Sequence, residues 1–486
     1  MFSSDIHLIV TALCYTEYKK KMPQRRTKME TKKHLVKPPK VPVEGKKGYA
    51  LALGGGGTRG SYEIGVWEYL REIELPIRSI AGTSIGSVNG AMMVQKDFEQ
   101  AKEAWLSIDI SLILESIERQ EKKRSEKQDL SFFANLGGDL PALSRHIIEN
   151  GGLDTKPMRN FLSRIIDEEA VRRSDIDYTL TAMDITNFEP KYFHIRDIPQ
   201  GQLLDYILAS CSVPIFKLPE IDGIKYADGG FHDNIPVGPL YQQGFEDIVA
   251  VDLSGLGYNR TLHTKGAHLL HIKNSESLGA TFQFDLSLVK RNMKLGYLDA
   301  KKAFGDLMGH VYYLRHDPPK HPLLYPLQDH EIAYLNDLLA LPQNPVLKEN
   351  KARQNLIKHL SKYSLANQQE VESVDYLQGS LEIAAQQLCV DRVREYTIDE
   401  LFESVMQAYE TLKKNHAKNH TPFEWLKKNL TGKHPQKSLA NPFLPDIVEN
   451  NTWEQSQALA PLLALSLPNY SITALFLMLI INRKKG

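Results

Sequence analysis

The sequence predicts an α/β fold in which helices cover both faces of a mainly parallel central sheet, followed by a mostly helical C-terminal region. Short apolar runs, typical of buried strands, recur from residue 48 to about residue 316. Stretches of helical period separate several of these runs, and Tyr62–Ile73 is an example with its apolar residues on one stripe. This alternation is typical of a three-layer α/β/α sandwich. The runs are Tyr49–Leu53, Arg78–Gly82, Tyr178–Asp184, Lys191–Ile195 and Asp247–Leu253.

The strand signals fade after His316, and the rest of the chain has the pattern of helices. The proline-rich segment Asp317–Pro326 has the composition of a linker. The clearest helix follows Thr397, because Thr397 and Glu400 have the spacing of a capping box. The expected segments are a tail over residues 1–47, an α/β domain over residues 48–316 and a helical region over residues 317–486.

The overall composition argues against several classes of function. The 486-residue chain is 42% hydrophobic and 24% charged, as expected for a globular protein with more than one domain. Lys and Arg together equal Asp and Glu at 59 each, so no global charge points to a nucleic-acid partner. Cys14, Cys211 and Cys389 are odd in number and far apart, which argues against a disulfide framework and against zinc-ligand spacing. They are compatible with a reducing compartment, and nothing in the chain resembles a calcium loop.

Both ends of the chain carry features that suggest lipid contact. Lys19–Lys47 is a basic, proline-containing tail that we expect to be disordered. It is either a solvated tether or a segment that is attracted to anionic lipid headgroups. Ile6–Tyr15 is too short to span a bilayer, and Met22 and Met29 are alternative starts that would remove it. Ile472–Ile481 is apolar and is followed by basic residues. Because ten residues are only half a membrane span, we favour a buried helix over a membrane-contacting one. We expect a cytoplasmic or peripheral-membrane protein, with export without a conventional signal peptide as the alternative.

A glycine-rich loop follows the first apolar run, where residues Leu51–Gly60 read LALGGGGTRG. Gly55, Gly57 and Gly60 match the G-x-G-x-x-G pattern that binds dinucleotides between a strand and a helix. That function also requires an acidic residue at the end of the second strand, and the second strand here ends in GTSIG instead. No Gly-Lys-Ser/Thr follows the loop either, so both types of nucleotide site are disfavoured.

The segment Gly82–Gly86 has the G-x-S-x-G pattern of a nucleophile elbow, with Ser84 at its centre. A serine on a sharp strand-to-helix turn requires small residues two positions before and two positions after it. Gly82 and Gly86 meet that requirement, and Ser87–Gln95 continues as a helix. The position after an apolar strand and beyond a glycine-rich loop makes this match more specific than the pattern alone.

The serine hydroxyl needs a base, and the best candidate lies in KYADGGFHDNIPV, from Lys225 to Val237. None of the 16 histidines sits in a distinctive pattern. Asp228 stands at the end of a short apolar segment. Gly229 and Gly230 allow the backbone to turn directly after it, so that its carboxylate can be presented to the site. Taken alone, this segment favours an ordinary turn aspartate.

In this order, GGGGTRG, GTSIG and DGG resemble the patatin-like phospholipase family of bacterial type. The resemblance covers about residues 48–316 and extends to Leu153–Leu162 and Ala209–Gly223. The basic tail and everything after His316 lie outside it. The resemblance implies a patatin-like three-layer sandwich with a mainly parallel central sheet.

The resemblance also implies a Ser–Asp dyad, with Ser84 as the nucleophile and Asp228 as the general base. No metal or cofactor is expected. Arg59 would either hold the shape of the glycine loop or meet a lipid phosphate, and His232 is a weaker candidate for the base. The residues whose loop would stabilise the oxyanion are Gly55, Gly56, Gly57, Thr58, Arg59 and Gly60.

The implied function is a lipid acyl hydrolase that cleaves fatty acyl esters, mainly of phospholipids, through an acyl-enzyme. The first alternative keeps the same dyad and changes the substrate, which would make the protein a lysophospholipase, a neutral-lipid esterase or a thioesterase. A catalytically silent lipid-binding or scaffold protein is the alternative from another class. The expected partners are a lipid substrate, a membrane surface and a protein activator that acts through residues 317–486, with no nucleic acid.

Overall fold

The computed structural model describes residues 48–108, 154–331, 355–363, 373–414, 444–449 and 459–485, apart from positions 188, 214–215, 256–266, 282, 284 and 357. The predicted tail over residues 1–47 lies outside these residues. The described residues divide into two compact units between Gly305 and Asp306. The segment 306–316, which we expected in the first domain, therefore belongs to the second unit.

The first unit is built on one eight-stranded sheet. Its strand order is β5-β6-β3-β2-β1-β7-β8, and β4 pairs with β3 outside that path. The strands are β1 Tyr49–Leu53, β2 Ile77–Thr83, β3 Asp177–Asp184, β4 Glu189–His194, β5 Glu220–Ile221, β6 Ile224–Asp228, β7 Asp247–Asp252 and β8 His268–Lys273.

The sheet is mainly parallel, as predicted, with an antiparallel edge. Strands β3, β2, β1, β7 and β8 run parallel to one another. Strands β4 and β6 both run antiparallel to β3, and β5 runs antiparallel to β6. The run Lys191–Ile195, which pattern alone assigned to the set of buried parallel strands, forms the half-buried β4 instead. A short turn joins β3 to β4, and a connection of that length allows only antiparallel pairing.

Helices cover both faces of this sheet and complete the three-layer sandwich. On one face, Ala50 and Ala52 pack with Leu240. On the other face, Leu53 and Ile80 lie against the helix that follows β2. Alternate residues of a strand point to opposite faces, so the two sets of contacts define two helical layers. The helices are α1 Ser61–Glu72, α2 Ile85–Val94, α3 Phe98–Ser107, α4 Lys156–Ile165, α5 Glu168–Arg173, α6 Leu203–Ser210, α7 Val237–Gln242 and α8 Leu286–Ala303.

Helices α1 and α8 touch through two glycines, and α1 is the helix that follows the glycine-rich loop. A Cβ atom on Gly65 would lie 1.7 Å from the carbonyl oxygen of Met293. A Cβ atom on Gly296 would lie 2.0 Å from the carbonyl oxygen of Tyr62. Backbone therefore packs directly on backbone here, with no space for a methyl group.

Replacing Gly65 with alanine is expected to lower the free energy of unfolding by about 1–3 kcal/mol, because α8 must move away from α1. The effect opposes the intrinsic helix preference, which favours alanine by about 1 kcal/mol. Urea denaturation followed by circular dichroism measures it. Gly90→Ala is the control, because a Cβ atom there meets only side chains, the nearest at 3.1 Å. An equal loss in both variants would contradict the argument.

The second unit is mostly helical, as predicted, but it also contains a two-stranded parallel sheet. The predicted capping box is confirmed: Glu400 N–H donates to Thr397 Oγ1 over 3.0 Å, and Thr397 N–H donates to the Glu400 carboxylate over 2.8 Å. The elements are β9 Tyr313–Leu314, β10 Glu395–Tyr396, α9 Ser373–Gln387, α10 Ile398–Lys414, α11 Leu444–Glu449, α12 Leu459–Ser466 and α13 Pro468–Lys485.

Helix α13 lies in the core of the second unit. Residues 472–480 are all buried, which confirms the prediction of a buried helix for this apolar segment. Arg483 forms a buried ion pair with Glu331 and donates to the carbonyl oxygen of Leu323. Leu324 is also buried, so the interpretation of Asp317–Pro326 as a linker is wrong: its leucines supply apolar area to the core. Across the described residues, every helix is too short or too polar to span a bilayer.

Candidate active site

The glycine-rich loop and Ser84 meet at one edge of the sheet. Strand β1 pairs with β2 in parallel, and Leu53 lies opposite Gly82. The loop follows β1 and Ser84 follows β2, so both lie beyond the carboxyl ends of neighbouring strands. In open α/β sheets this edge is where ligands bind.

Ser84 lies in a strained turn between β2 and α2. Its φ of 54° and ψ of −125° lie in a region that residues with a side chain rarely adopt. The Ser84 N–H donates to Ser210 Oγ over 2.9 Å, and the Ser210 hydroxyl donates to the carbonyl oxygen of Thr181 over 2.6 Å. Ser87 N–H donates to the Ser84 carbonyl oxygen over 2.8 Å. These bonds hold the turn and project the Ser84 side chain from it.

Gly82 and Gly86 are the small residues that this turn requires. A Cβ atom on Gly82 would lie 2.2 Å from the carbonyl oxygen of Gly86. A Cβ atom on Gly86 would lie 2.4 Å from the carbonyl oxygen of Leu53. The helix α2 can therefore start this close to β1 and β2 only with glycine at both positions.

Asp228 lies at the end of β6, where the antiparallel pairing with β3 sets it opposite Ala182. Its N–H donates to the carbonyl oxygen of Ser212 over 2.8 Å, and its side chain is buried. The carboxylate accepts a hydrogen bond from Gly230 N–H over 2.8 Å, and the Ser84 hydroxyl lies beside it and lowers its pKa. The structure thus brings together two residues that are far apart in sequence.

Gly229 and Gly230 shape the turn that carries this carboxylate. A Cβ atom on Gly229 would lie 2.5 Å from the carbonyl oxygen of Thr181, and one on Gly230 would lie 3.0 Å from Asp228 Oδ1. His232 follows, and its N–H donates to the Gly229 carbonyl oxygen over 3.0 Å. The groups whose pKa the Ser84 hydroxyl affects are the Asp228 carboxyl and the Cys211 thiol.

Burial raises the pKa of the Asp228 carboxyl to about 6, and the Ser84 hydroxyl and the Gly230 N–H oppose that effect in part. An aspartate at its ordinary pKa is a weak base toward a hydroxyl group. The raised pKa brings its proton affinity closer to that needed by a general base working near neutral pH.

We expect kcat/KM of an Asp228-dependent reaction to rise with pH and to level off above an apparent pKa of about 6. The base must be ionised to accept a proton, so protonation below that pH removes activity, by about tenfold per pH unit. A pH series with a neutral ester substrate measures the midpoint. A midpoint near the ordinary aspartate pKa, or a fall in rate with rising pH, would contradict the assignment.

Most backbone N–H groups of the glycine-rich loop are already engaged. Gly55 N–H donates to the Asn234 carbonyl oxygen over 3.2 Å, and Thr58 N–H donates to the Thr281 carbonyl oxygen over 2.9 Å. Within the described part of the chain, the N–H groups of Gly56 and Gly57 have no such partner. Of the predicted oxyanion residues, these two are therefore the donors available to a bound anion.

Arg59 fastens this loop to the segment before α8. Its Nε donates to the Gly279 carbonyl oxygen over 3.0 Å, and its Nη1 donates to the Ser254 carbonyl oxygen over 2.6 Å. The Thr58 hydroxyl reaches the carbonyl oxygen of Ala280 over 3.2 Å. These bonds favour the first of the two predicted roles of Arg59, which is to hold the shape of the loop.

A buried polar network under the loop was not predicted. Asn89 Nδ2 donates to the Gly60 carbonyl oxygen over 2.9 Å and to Glu63 Oε2 over 2.6 Å, and Trp105 Nε1 donates to Asn89 Oδ1 over 2.9 Å. Burial raises the pKa of the Glu63 carboxyl to about 8, against the effect of the Asn89 hydrogen bond. The network joins the loop to α2 and α3. The sequence did not indicate that Glu63 is part of it, because a glutamate in the first turn of a helix is common.

Cys211, Ser210 and Asn234 are further residues of the site that pattern analysis missed. The Cys211 thiol lies beside the Ser84 hydroxyl, and burial raises the pKa of that thiol, so it stays protonated and does not compete as a nucleophile. Cys211 and Ser210 lie within Ala209–Gly223, and Asn234 lies within Lys225–Val237. The sequence therefore indicated these two segments but not the three residues. Among the described residues no group of His, Cys, Asp and Glu is arranged to hold a metal ion.

Residues 51–241 match the family described as patatin-like phospholipase. An uncharacterized NTE family protein of Mycobacterium tuberculosis is 28% identical over 207 residues, which are 42% of this chain and 49% of that protein. Patatin-like phospholipase domain-containing protein 7 of Rattus norvegicus is 25% identical over 207 residues, which are 42% of this chain and 13% of that protein. The chain thus spans about half the length of the mycobacterial relative and less of the rat protein.

The crystal structure of VipD from Legionella pneumophila is similar over 97% of this chain and 98% of that chain. The sequence identity is 13% and the TM-score is 0.35.

Proposed function

Because the chain belongs to the patatin-like phospholipase family through residues 51–241, we propose that it is a lipid acyl hydrolase that cleaves fatty acyl esters, mainly of phospholipids. The observation that carries the proposal is the position of the Ser84 hydroxyl beside the buried carboxylate of Asp228, whose pKa burial raises. A hydroxyl beside a carboxylate of raised pKa, next to a loop with available N–H groups, has the parts that acyl transfer needs.

In the first half-reaction, Ser84 Oγ attacks the ester carbonyl carbon while Asp228 takes the hydroxyl proton. The carbonyl oxygen gains negative charge in the tetrahedral intermediate. The N–H groups of Gly56 and Gly57 stabilise that charge, and losing one such donor typically costs about 2.7–4 kcal/mol of barrier. The intermediate then expels the lysolipid or alcohol, which takes the proton from Asp228 and leaves an acyl group on Ser84.

In the second half-reaction, water attacks the acyl-Ser84 ester. Asp228 takes a proton from the water, and that proton returns to Ser84 Oγ as the fatty acid leaves. The chemistry needs an acyl acceptor and a base but no redox group. Phe231, in the turn that follows Asp228, has 52% of its side chain exposed and offers apolar surface to an acyl chain.

The test is fatty acid release from mixed phospholipid vesicles, with parallel reactions on lysophospholipid, triacylglycerol and acyl thioester substrates. We expect phospholipid to be cleaved fastest. Faster cleavage of another class would reassign the substrate and keep the dyad. Release that requires added cell extract would indicate a protein activator, for which residues 317–486 are the expected binding region. Tight vesicle binding without release from any substrate would overturn the proposal in favour of a lipid-binding protein.

A further inference from the structure

Asn234 carries a buried oxygen atom that the dyad mechanism above does not use. The residue is 2% exposed, and its Oδ1 atom has no hydrogen-bond partner among the described residues. Its Nδ2 atom faces the Gly55 carbonyl oxygen at 3.5 Å, and its own carbonyl oxygen accepts the Gly55 N–H. The side chain is therefore attached to the glycine-rich loop by its nitrogen and leaves its oxygen unpaired.

That oxygen shares one glycine neighbour with Ser84 and another with Asp228. A Cβ atom on Gly55 would lie 2.6 Å from Asn234 Oδ1 and 3.2 Å from Ser84 Cβ. A Cβ atom on Gly230 would lie 2.8 Å from Asn234 Oδ1 and 3.0 Å from Asp228 Oδ1. Asn234 Oδ1 thus lies in the space that the two glycines leave open between the glycine-rich loop and the Asp228 turn.

An amide oxygen can only accept hydrogen bonds, so it cannot stabilise an oxyanion. Leaving a buried acceptor unpaired costs about 1–3 kcal/mol, which makes a donor at this position favourable. In the acyl-enzyme, Ser84 Oγ carries no hydrogen and therefore cannot be that donor. A water molecule has two O–H bonds and suits a site with two acceptors, here Asp228 and Asn234.

We propose that Asn234 positions the hydrolytic water of the second half-reaction, an inference that rests on the proposed function. The water donates one hydrogen bond to Asp228 and the other to Asn234 Oδ1, which directs a lone pair of its oxygen at the acyl carbonyl carbon. The new C–O bond forms as Asp228 takes the first proton. The bond from that carbon to Ser84 Oγ then breaks, and Ser84 Oγ recovers the proton.

Asn234→Ala is expected to slow deacylation selectively. Misplacing a reacting group can cost about 10²-fold, so we expect kcat to fall by up to this factor. Acylation does not use this water, so KM should fall with kcat and kcat/KM should stay close to wild type. With a nitrophenyl acyl ester, the variant should show a burst of nitrophenol and an acyl group on Ser84 detectable by mass spectrometry.

Asn292→Ala is the matched control. Asn292 is 1% exposed, its Oδ1 also has no partner within the described residues, and its Nδ2 also donates to one carbonyl oxygen, that of Leu278. We expect this variant to lose stability without accumulating acyl-enzyme. Added hydroxylamine, a stronger nucleophile than water, should discharge the acyl-enzyme of Asn234→Ala and restore its turnover.

Asn234→Asp covers the case in which Asn234→Ala does not fold, because it keeps the shape and an acceptor oxygen. Measured well above the pKa of Asp228, it should deacylate without accumulating acyl-enzyme. Accumulation in this variant, or an equal fall of kcat and kcat/KM in folded Asn234→Ala, would overturn the assignment. Absence of turnover by the wild type would overturn the proposed function and this inference together.

Discussion

Replacing Ser84 with alanine is expected to reduce fatty acid release by about 10⁶-fold, close to the background rate. The variant has no oxygen to form the acyl-enzyme, whereas Asp228 and the glycine-rich loop remain in position. These remaining groups bind substrate without supplying a nucleophile. Release of radiolabelled fatty acid from vesicles measures the rate, and vesicle sedimentation should show unchanged lipid binding.

The fold should tolerate this change. The strained φ of 54° is imposed by the bonds around the turn and not by the hydroxyl, and alanine carries the same backbone restriction. Ser79→Ala is the matched control, because Ser79 is a fully buried serine on β2, the strand that precedes Ser84, and its hydroxyl donates to Gln243 over 2.9 Å. It should lose stability and keep its activity. Residual activity in Ser84→Ala above the background would mean that another group is the nucleophile.

Replacing Asp228 with asparagine is expected to reduce kcat by about 10⁴-fold, as in other serine hydrolases that lose the acidic partner. The amide has the shape of the carboxylate, and its oxygen can still accept the Gly230 N–H. It cannot take a proton from the Ser84 hydroxyl at neutral pH. The variant therefore keeps the turn and loses the base. Single-turnover kinetics with a nitrophenyl ester should show that acylation itself has slowed.

Asp184→Asn is the matched control for this prediction. Asp184 is also fully buried at the end of a strand, and its carboxylate also accepts the N–H two residues on, that of Thr186, over 2.8 Å. It has no contact with Ser84 among those described, so activity should stay near wild type. Unimpaired acylation in Asp228→Asn would redirect the search for the base to His232.

The local geometry of Ser84, the proposed nucleophile, could be predicted because its causes are local. Gly82 and Gly86 have to be small so that a strand and a helix can meet within five residues, and that requirement leaves a short pattern in the sequence. The same is true of the capping box at Thr397. Strands β1 and β7 were predicted because they are buried on both faces and therefore continuously apolar.

The features that were missed depend on partners far away in the chain. The direction of β4 follows from the turn that precedes it, and the packing of Asp317–Pro326 follows from Arg483 and the core of the second unit. Neither the direction of a strand nor the packing of a proline-rich segment leaves a periodic pattern in the sequence. A half-buried strand has the same composition in either direction, and a proline-rich segment has the same composition whether it is a linker or packs on a core.

By itself, the sequence determined the chemistry that this protein carries: a glycine-rich loop, a serine in an elbow and an aspartate before two glycines. Only the tertiary structure decided how these parts combine. The pairing of β6 with β3 brings Asp228 to Ser84, burial raises the pKa of its carboxyl, and the fold of the Asp228 turn sets Asn234 against the loop. Each of these effects depends on contacts between segments that are far apart in the sequence, and a local pattern contains no information about distance in space.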